Sequence, residues 1–460
     1  MSRPNLLHGP VGPTLLRLAG PMVLGISAII LFNVVDTFYV GQLGAEPLAA
    51  MSFTFPVTFL VMSITMGLGI GTTSVIARAI GTGDRARVRR LTTHALILAN
   101  LVVVLVAALG LMTMAPLFRI MGATDDLMPM IRAYMVPWFL GVGLLVIPMV
   151  GNSAIRATGD TKTPSYVMMV AGLVNVVFDP VLIFGVGPFP RLGIQGAAYA
   201  TVISWAVTFS AAFWILAKRE RMLELSWPRL GALLESWKQV LYIGLPAAGT
   251  NVLVPLSGAV LTRLVSSFGA ATVAAYGVGN RLESVALIGI LAMSTAVTPF
   301  VGQNYGASAC DRVRAALRFT IKYALLYGAA MLTILVLLSG VLAGAFSDDP
   351  AVIAPTRLFL WIVPVSYGPL GLALLVNATF NAVNKPFRAA VLIGVRLFVL
   401  AVPLAFIGAR VAGVTGLFVG IAVGNLLTGG LAYLMVRRFL RRIESREAPA
   451  APLPAVGPTI

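Results

Sequence analysis

Asp36 and Asp179 are the residues of this chain whose chemistry is least expected from their surroundings. Each lies within a long apolar run, and each has an amide about one helical turn before it. Asn33 stands three residues ahead of Asp36, and Asn175 four ahead of Asp179. On a helix, spacings of three and four put such pairs on one face. Pro180 follows Asp179 directly, where it removes a backbone N–H and frees the Val176 carbonyl as an acceptor. Thr201, in the run GIQGAAYATVIS, adds a hydroxyl among small residues that let helices approach closely. Asp36, Asn175, Asp179 and Thr201 thus offer oxygen ligands that would suit a metal ion such as Na⁺, whereas a proton needs the carboxyls alone. Loss of water and a neighbouring carboxylate both favour the protonated acid, so the two aspartates are expected to share a proton.

Of the sixteen acids, Glu283 is the third that falls inside an apolar run. Placing a carboxylate in hydrocarbon costs ~2.5 kcal/mol or more, so such groups face a protein interior or a wet cavity. The competing role for each is a satisfied interhelical hydrogen bond. Asn33, Arg281, Glu283, Asn377 and Arg396 are further candidates for lining a cavity. Arg281 and Glu283 are two residues apart and do not share a helix face.

The elements that carry these residues are read from composition. The chain has 460 residues, 58% hydrophobic and 11% charged, which leaves too little polar surface for a soluble protein of this length. The apolar residues come in blocks long enough to cross a hydrocarbon layer about 30 Å thick as helices. Twelve such blocks are expected, at 14–40, 47–77, 92–117, 129–152, 164–186, 194–217, 238–264, 272–302, 315–346, 355–379, 387–408 and 412–436. The fold class is therefore an all-α polytopic membrane protein. A β-barrel would read as alternating segments of about ten residues. The first block is too long for the apolar core of a cleaved signal and contains Asp36.

The net charge of +17 reflects topology rather than nucleic-acid binding. Most Lys and Arg cluster in alternate loops: Arg85, Arg87, Arg89 and Arg90, then Lys218 to Lys238, then Arg312, Arg314 and Arg318, then Arg437 to Arg446. The other loops hold isolated residues such as Arg119 and Arg191. This bias predicts cytoplasmic N- and C-termini. Cys310 is the single cysteine, so no intramolecular disulfide can form. The Pro/Ala-rich end after Glu447 is expected to be disordered.

The sequence also repeats itself. At an offset of 225, Pro21 meets Pro246, LGAEPLAA meets FGAATVAA, Gly81 meets Gly306, and RVR at 87–89 meets RVR at 312–314. The offset later falls to 222 and then 220, where GIQG at 193–196 faces GVTG at 413–416. Two six-helix lobes of one design are expected, 14–217 and 238–436, flanked by a cytoplasmic segment 1–13, a linker 218–237 and a tail 437–460. Both lobes start on the same side, so a pseudo-twofold axis along the membrane normal relates them, an arrangement some secondary transporters share. The second lobe has Leu261 opposite Asp36 and an apolar residue opposite Asp179.

At these residues the chain resembles the multidrug and toxic compound extrusion (MATE) family, in particular its DinF-type branch. The matching stretches are VDTFYVGQLG, IARAIGTGD, IRATGDTKTP, NVVFDPVLIFG, GIQGAAYAT and VGQNYGA, in this order. The resemblance implies a cation or proton site at Asp36, Asn175, Asp179 and Thr201, and a bend of the first helix at Pro21. It implies export of organic, often cationic, amphiphiles in exchange for H⁺ or Na⁺ by alternating access. The protein is expected to be a monomer in the cytoplasmic (inner) membrane, with no cofactor beyond the coupling ion. A lipid or lipid-linked-sugar flippase of the same superfamily is the alternative. An enzyme is not expected. His8 and His94 form no HExxH pair, and no GxxxxGK[ST] run binds ATP.

Overall fold

The computed structural model describes the backbone of residues 6–224, 226 and 228–447; the side chains described end at residue 442. The expected tail beyond Glu447 lies outside the described residues. Among those described there is no strand. The first six spans are α1 (Val11–Gly41), α2 (Ala45–Gly81), α3 (Arg85–Ile120), α4 (Met128–Gly141 with Gly143–Ala157), α5 (Lys162–Phe184) and α6 (Ile194–Arg219). The next four are α7 (Leu230–Ser266), α8 (Ala270–Ala286 with Ile288–Gly306), α9 (Cys310–Leu337) and α10 (Pro350–Ala382). α4 bends by 53° and α8 by 43°.

The last apolar helix, Pro386–Arg442, has 57 residues. At 1.5 Å per residue it would be about 85 Å long, nearly three times the hydrocarbon thickness. Its backbone leaves helical geometry at Ala412 and at Gly413, whose φ is 59°. The break gives α11 (386–411) and α12 (414–442), and twelve spans in all. The helices overrun the apolar blocks at their charged ends. α7 already starts at Leu230, inside the expected linker, and α12 continues past residue 437 into the expected tail. Apolar periodicity marks where lipid is crossed. Helices continue beyond it as long as backbone hydrogen bonds do.

The duplication is visible in backbone angles. Gly193 opens α6 at φ 57°, ψ −136°, and Gly413 opens α12 at φ 59° and ψ −139°. Gly44 and Gly269, before α2 and α8, have φ 118° and 97°. These left-handed or extended positive-φ conformations are strained for residues with a Cβ, which is why both copies keep glycine.

Each half builds its own core, and each core takes in a piece of the other half. Leu15, Leu18 and Met22 of α1 are buried in the core of the second lobe. Val240 and Ile243 of α7 are buried in the core of the first. Val240 and Ile243 are the repeat counterparts of Leu15 and Leu18, so the exchange is symmetric.

The lobes are joined most tightly at the end carrying the chain termini. A Cβ on Gly67 or Gly71 of α2 would strike the backbone of α7 at Gly244 or Val240. Arg78 Nη1 donates to the Ala382 carbonyl at 2.8 Å, and Gln303 Nε2 donates to the Ala157 carbonyl at 2.6 Å. Both donors and both acceptors are repeat counterparts, so one bond is written twice about the pseudo-axis. Arg312 adds a strap, donating to the Leu6, His8 and Gly9 carbonyls. Toward the far end α1 buries nothing between Gly25 and Val40, and among the described residues the hydrogen bonds between the lobes lie at the terminal end.

α1 and α5 run parallel in close contact. Gly25 meets Ser165 and Met168, a Cβ on Gly172 would fall on the ring of Phe32, and Tyr39 packs edge-on against Phe184 at 6.3 Å. Gly172→Ala is therefore expected to destabilise by about 1–3 kcal/mol through overpacking. The melting temperature in detergent should drop, and Phe32→Ala added to it should recover at least half of the loss. No recovery would mean that the methyl clashes elsewhere.

Candidate functional site

Asp179 is fully buried on α5, and Asp36 is half-buried on the neighbouring face of α1. Their carboxyl groups are within hydrogen-bonding reach of each other. Asn175 Nδ2 donates to Asp179 Oδ1 at 3.2 Å, as the one-turn spacing predicts. Asp36 Oδ1 and Asp179 Oδ2 are buried and receive no donor from the protein. No ion pair among the described residues involves either acid. Two acceptors that face each other without a hydrogen between them repel. Only a proton or a cation placed between them turns the contact into an attraction. The orphaned oxygens thus fit both species that the donor set suits.

Pro180 sits within α5 without breaking it. On α6, Ser204 Oγ donates to the Ala171 carbonyl at 2.6 Å, and Gly196 lies against the Leu182 backbone. This antiparallel register brings Thr201 to the level of the Asn175 turn. Thr201 is half-buried there and makes no hydrogen bond to either acid among the described residues. Asn33 is exposed, and its amide donates back to the Ile29 carbonyl at 2.9 Å, so it belongs to its own helix rather than to the acid pair. Pro21 is inside α1, which continues through it unbroken in this state.

Tyr134 of α4 was not foreseen. It is buried and close enough to interact with both acids. An aromatic near the start of a span reads as an interfacial anchor, whereas the folded chain turns this one inward.

The second lobe has its own polar cluster near mid-span. Tyr367 of α10 donates to Glu283 Oε2 of α8 at 3.3 Å. Arg396, on a π-helical turn of α11, donates from Nε to Asn425 Oδ1 of α12 at 3.3 Å. Asn425 Nδ2 donates to Ser366 Oγ at 3.2 Å. Of the cavity candidates, Glu283 and Arg396 are thereby brought into one cluster, whereas Arg281 is exposed on another face of α8. Asn377 Oδ1 is buried without a donor, and so is Asn152 Oδ1, its repeat counterpart in the first lobe. Asn425 is the one polar side chain in VGIAVGNLL, a signal as plain as that of Asn175.

Comparison with known proteins follows the duplication. The family described as MatE matches residues 21–181 and again 246–407, two copies that start at the paired prolines. Over 97% of this chain and 99% of the relative, the sequence is 38% identical to a protein named FAD transporter from Shewanella oneidensis. It is 29% identical to a probable multidrug resistance protein, YoeA of Bacillus subtilis, over 79% of this chain and 80% of that one. Among solved structures, the Vibrio cholerae MATE transporter VcmN in its bent form superposes with a TM-score of 0.90 at 32% identity. That match covers 95% of this chain and 98% of VcmN.

Proposed function

This chain belongs to the MATE family, whose members are transporters and not enzymes, and from that premise we propose that it is a secondary active exporter driven by H⁺ or Na⁺. The observation that carries the proposal is the pair of donorless, buried oxygens on Asp36 and Asp179. With a proton or Na⁺ between them, the carboxyls hold α1 against α5. Emptied, they repel and favour movement of α1, with Pro21 as the point where that helix lacks a backbone hydrogen bond. Asn175 keeps Asp179 oriented, and Thr201 is the further oxygen available to Na⁺.

Cargo and ion need not touch. Each has only to bind one arrangement of the lobes better than the other, and that difference is what couples them. One proton moving down 100 mV supplies ~2.3 kcal/mol, enough for roughly fortyfold accumulation of a neutral solute. With both termini in the cytoplasm, as the basic loops favour, the tight crossing of the lobes lies on the cytoplasmic side.

The cargo class is an organic amphiphile, in keeping with the multidrug names among the relatives. The relative named FAD transporter supports a second reading, an aromatic cargo that carries negative charge. A lipid flippase is the remaining alternative. Labelled lipid scrambled in vesicles that contain no other cargo would support it.

The deciding experiment is export from proteoliposomes with the H⁺ and Na⁺ gradients imposed separately. Either gradient alone is expected to drive accumulation, and dissipating it should return transport to the level of protein-free vesicles. An ATP requirement, or transport indifferent to both gradients, would overturn the proposal.

A further inference from the structure

Arg396 is a basic side chain held within the polar cluster of the second lobe, and among the described residues no carboxylate comes within ion-pair distance of it. Helices α8, α10, α11 and α12 converge on it. Nε is fixed by Asn425, which is fixed in turn by Ser366, itself fully buried and bonded to the Val363 carbonyl at 2.7 Å. The chain of neutral groups therefore sets the plane of the guanidinium without neutralising it. Glu283 is near enough for the two charges to interact, but it does not come within the 4.0 Å of an ion pair and is engaged by Tyr367. The two terminal nitrogens make no hydrogen bond, yet they are not among the buried atoms left without a partner. They therefore keep some exposure beyond the hydrogen-bonded cluster.

A guanidinium fork with its orientation fixed and its outer edge free matches the paired oxygens of a phosphate or carboxylate. A charge held in this setting is costly until an anion meets it. We propose that Arg396, oriented by Asn425 and Ser366, is the recognition point for the oxyanion of an amphiphilic cargo. This rests on the reading that the protein is a secondary active exporter of an organic amphiphile, and it chooses among cargo classes. The aspartate pair of the first lobe and Arg396 of the second then divide the work, cation on one side and anionic cargo on the other.

Binding to purified protein in detergent, with no gradient present, tests this separately from export. Flavin mononucleotide and riboflavin share one ring system and differ by a phosphate. Wild-type protein is expected to bind the phosphorylated compound ~10- to 100-fold more tightly. Arg396→Gln should bring the two affinities together, and Arg396→Lys should keep part of the difference. Asn425→Asp supplies an internal carboxylate to the same fork. It should abolish the preference even if Arg396→Gln proves too unstable to purify. Equal binding of the two compounds by wild type, or a preference surviving Arg396→Gln or Asn425→Asp, overturns the proposal. Loss of gradient-driven export with the binding preference intact would count against the antiporter reading alone.

Discussion

Purified Asp36→Asn protein should fold, insert and fail to export under either gradient. The new amide brings an N–H to the position where Asp179 Oδ2 lacks a donor. It therefore imitates the loaded site permanently, and a site that cannot empty cannot cycle. A hydrogen bond to a charged group is worth about 1.5–3 kcal/mol, which biases the lobes ~10- to 150-fold toward one arrangement. Transport should fall by at least that factor, while the melting temperature stays at or above that of wild type because a repulsive contact has been removed. Asp179→Asn should lose transport in the same way. Undiminished export by Asp36→Asn protein would show that the pair does not couple transport.

The second large effect is expected where the lobes cross at the terminal end. A side chain on Gly306 would run into the backbone of α2 at Arg78, and one on Gly81 into the backbone of α8 at Gln303. Backbone cannot turn aside as a flexible side chain does. Gly306→Leu should therefore penalise the arrangement seen here by about 1–3 kcal/mol and shift the population ~5- to 150-fold toward lobes parted at that end. Ala77, fully buried between the lobes, provides the readout. With Cys310→Ser and Ala77→Cys as background, maleimide labelling should accelerate by the same factor, and Gly81→Leu should have a matching effect. Unchanged labelling would mean that these helices are not the closed gate.

Much of this was legible in the sequence because a membrane leaves few ways to place a polar group. Asn175 and Asp179 bond as their spacing requires, and Asp36 meets them from α1. Each of the twelve apolar blocks overlaps one span, although 164–186 and 315–346 run past the ends of α5 and α9, and 412–436 begins on the break before α12. What stayed hidden depends on helix rotation and bending. The rotation of α8 partly buries Glu283 and exposes Arg281, and the packing of α4 brings in Tyr134. Arg78 and Gln303 looked like ordinary charged and polar residues at helix ends. They gain meaning only when aligned as repeat partners that bond reciprocally across the lobes.

The reciprocal burial of α1 and α7 has a bearing on how such a protein arose. Leu15 and Leu18 complete the second core, and Val240 and Ile243 complete the first. A lone half would therefore leave an apolar helix end bare and a matching gap in its own interior, a surface that only a second half can satisfy. Two identical ancestral chains would have clasped each other in this way before any peptide bond joined them.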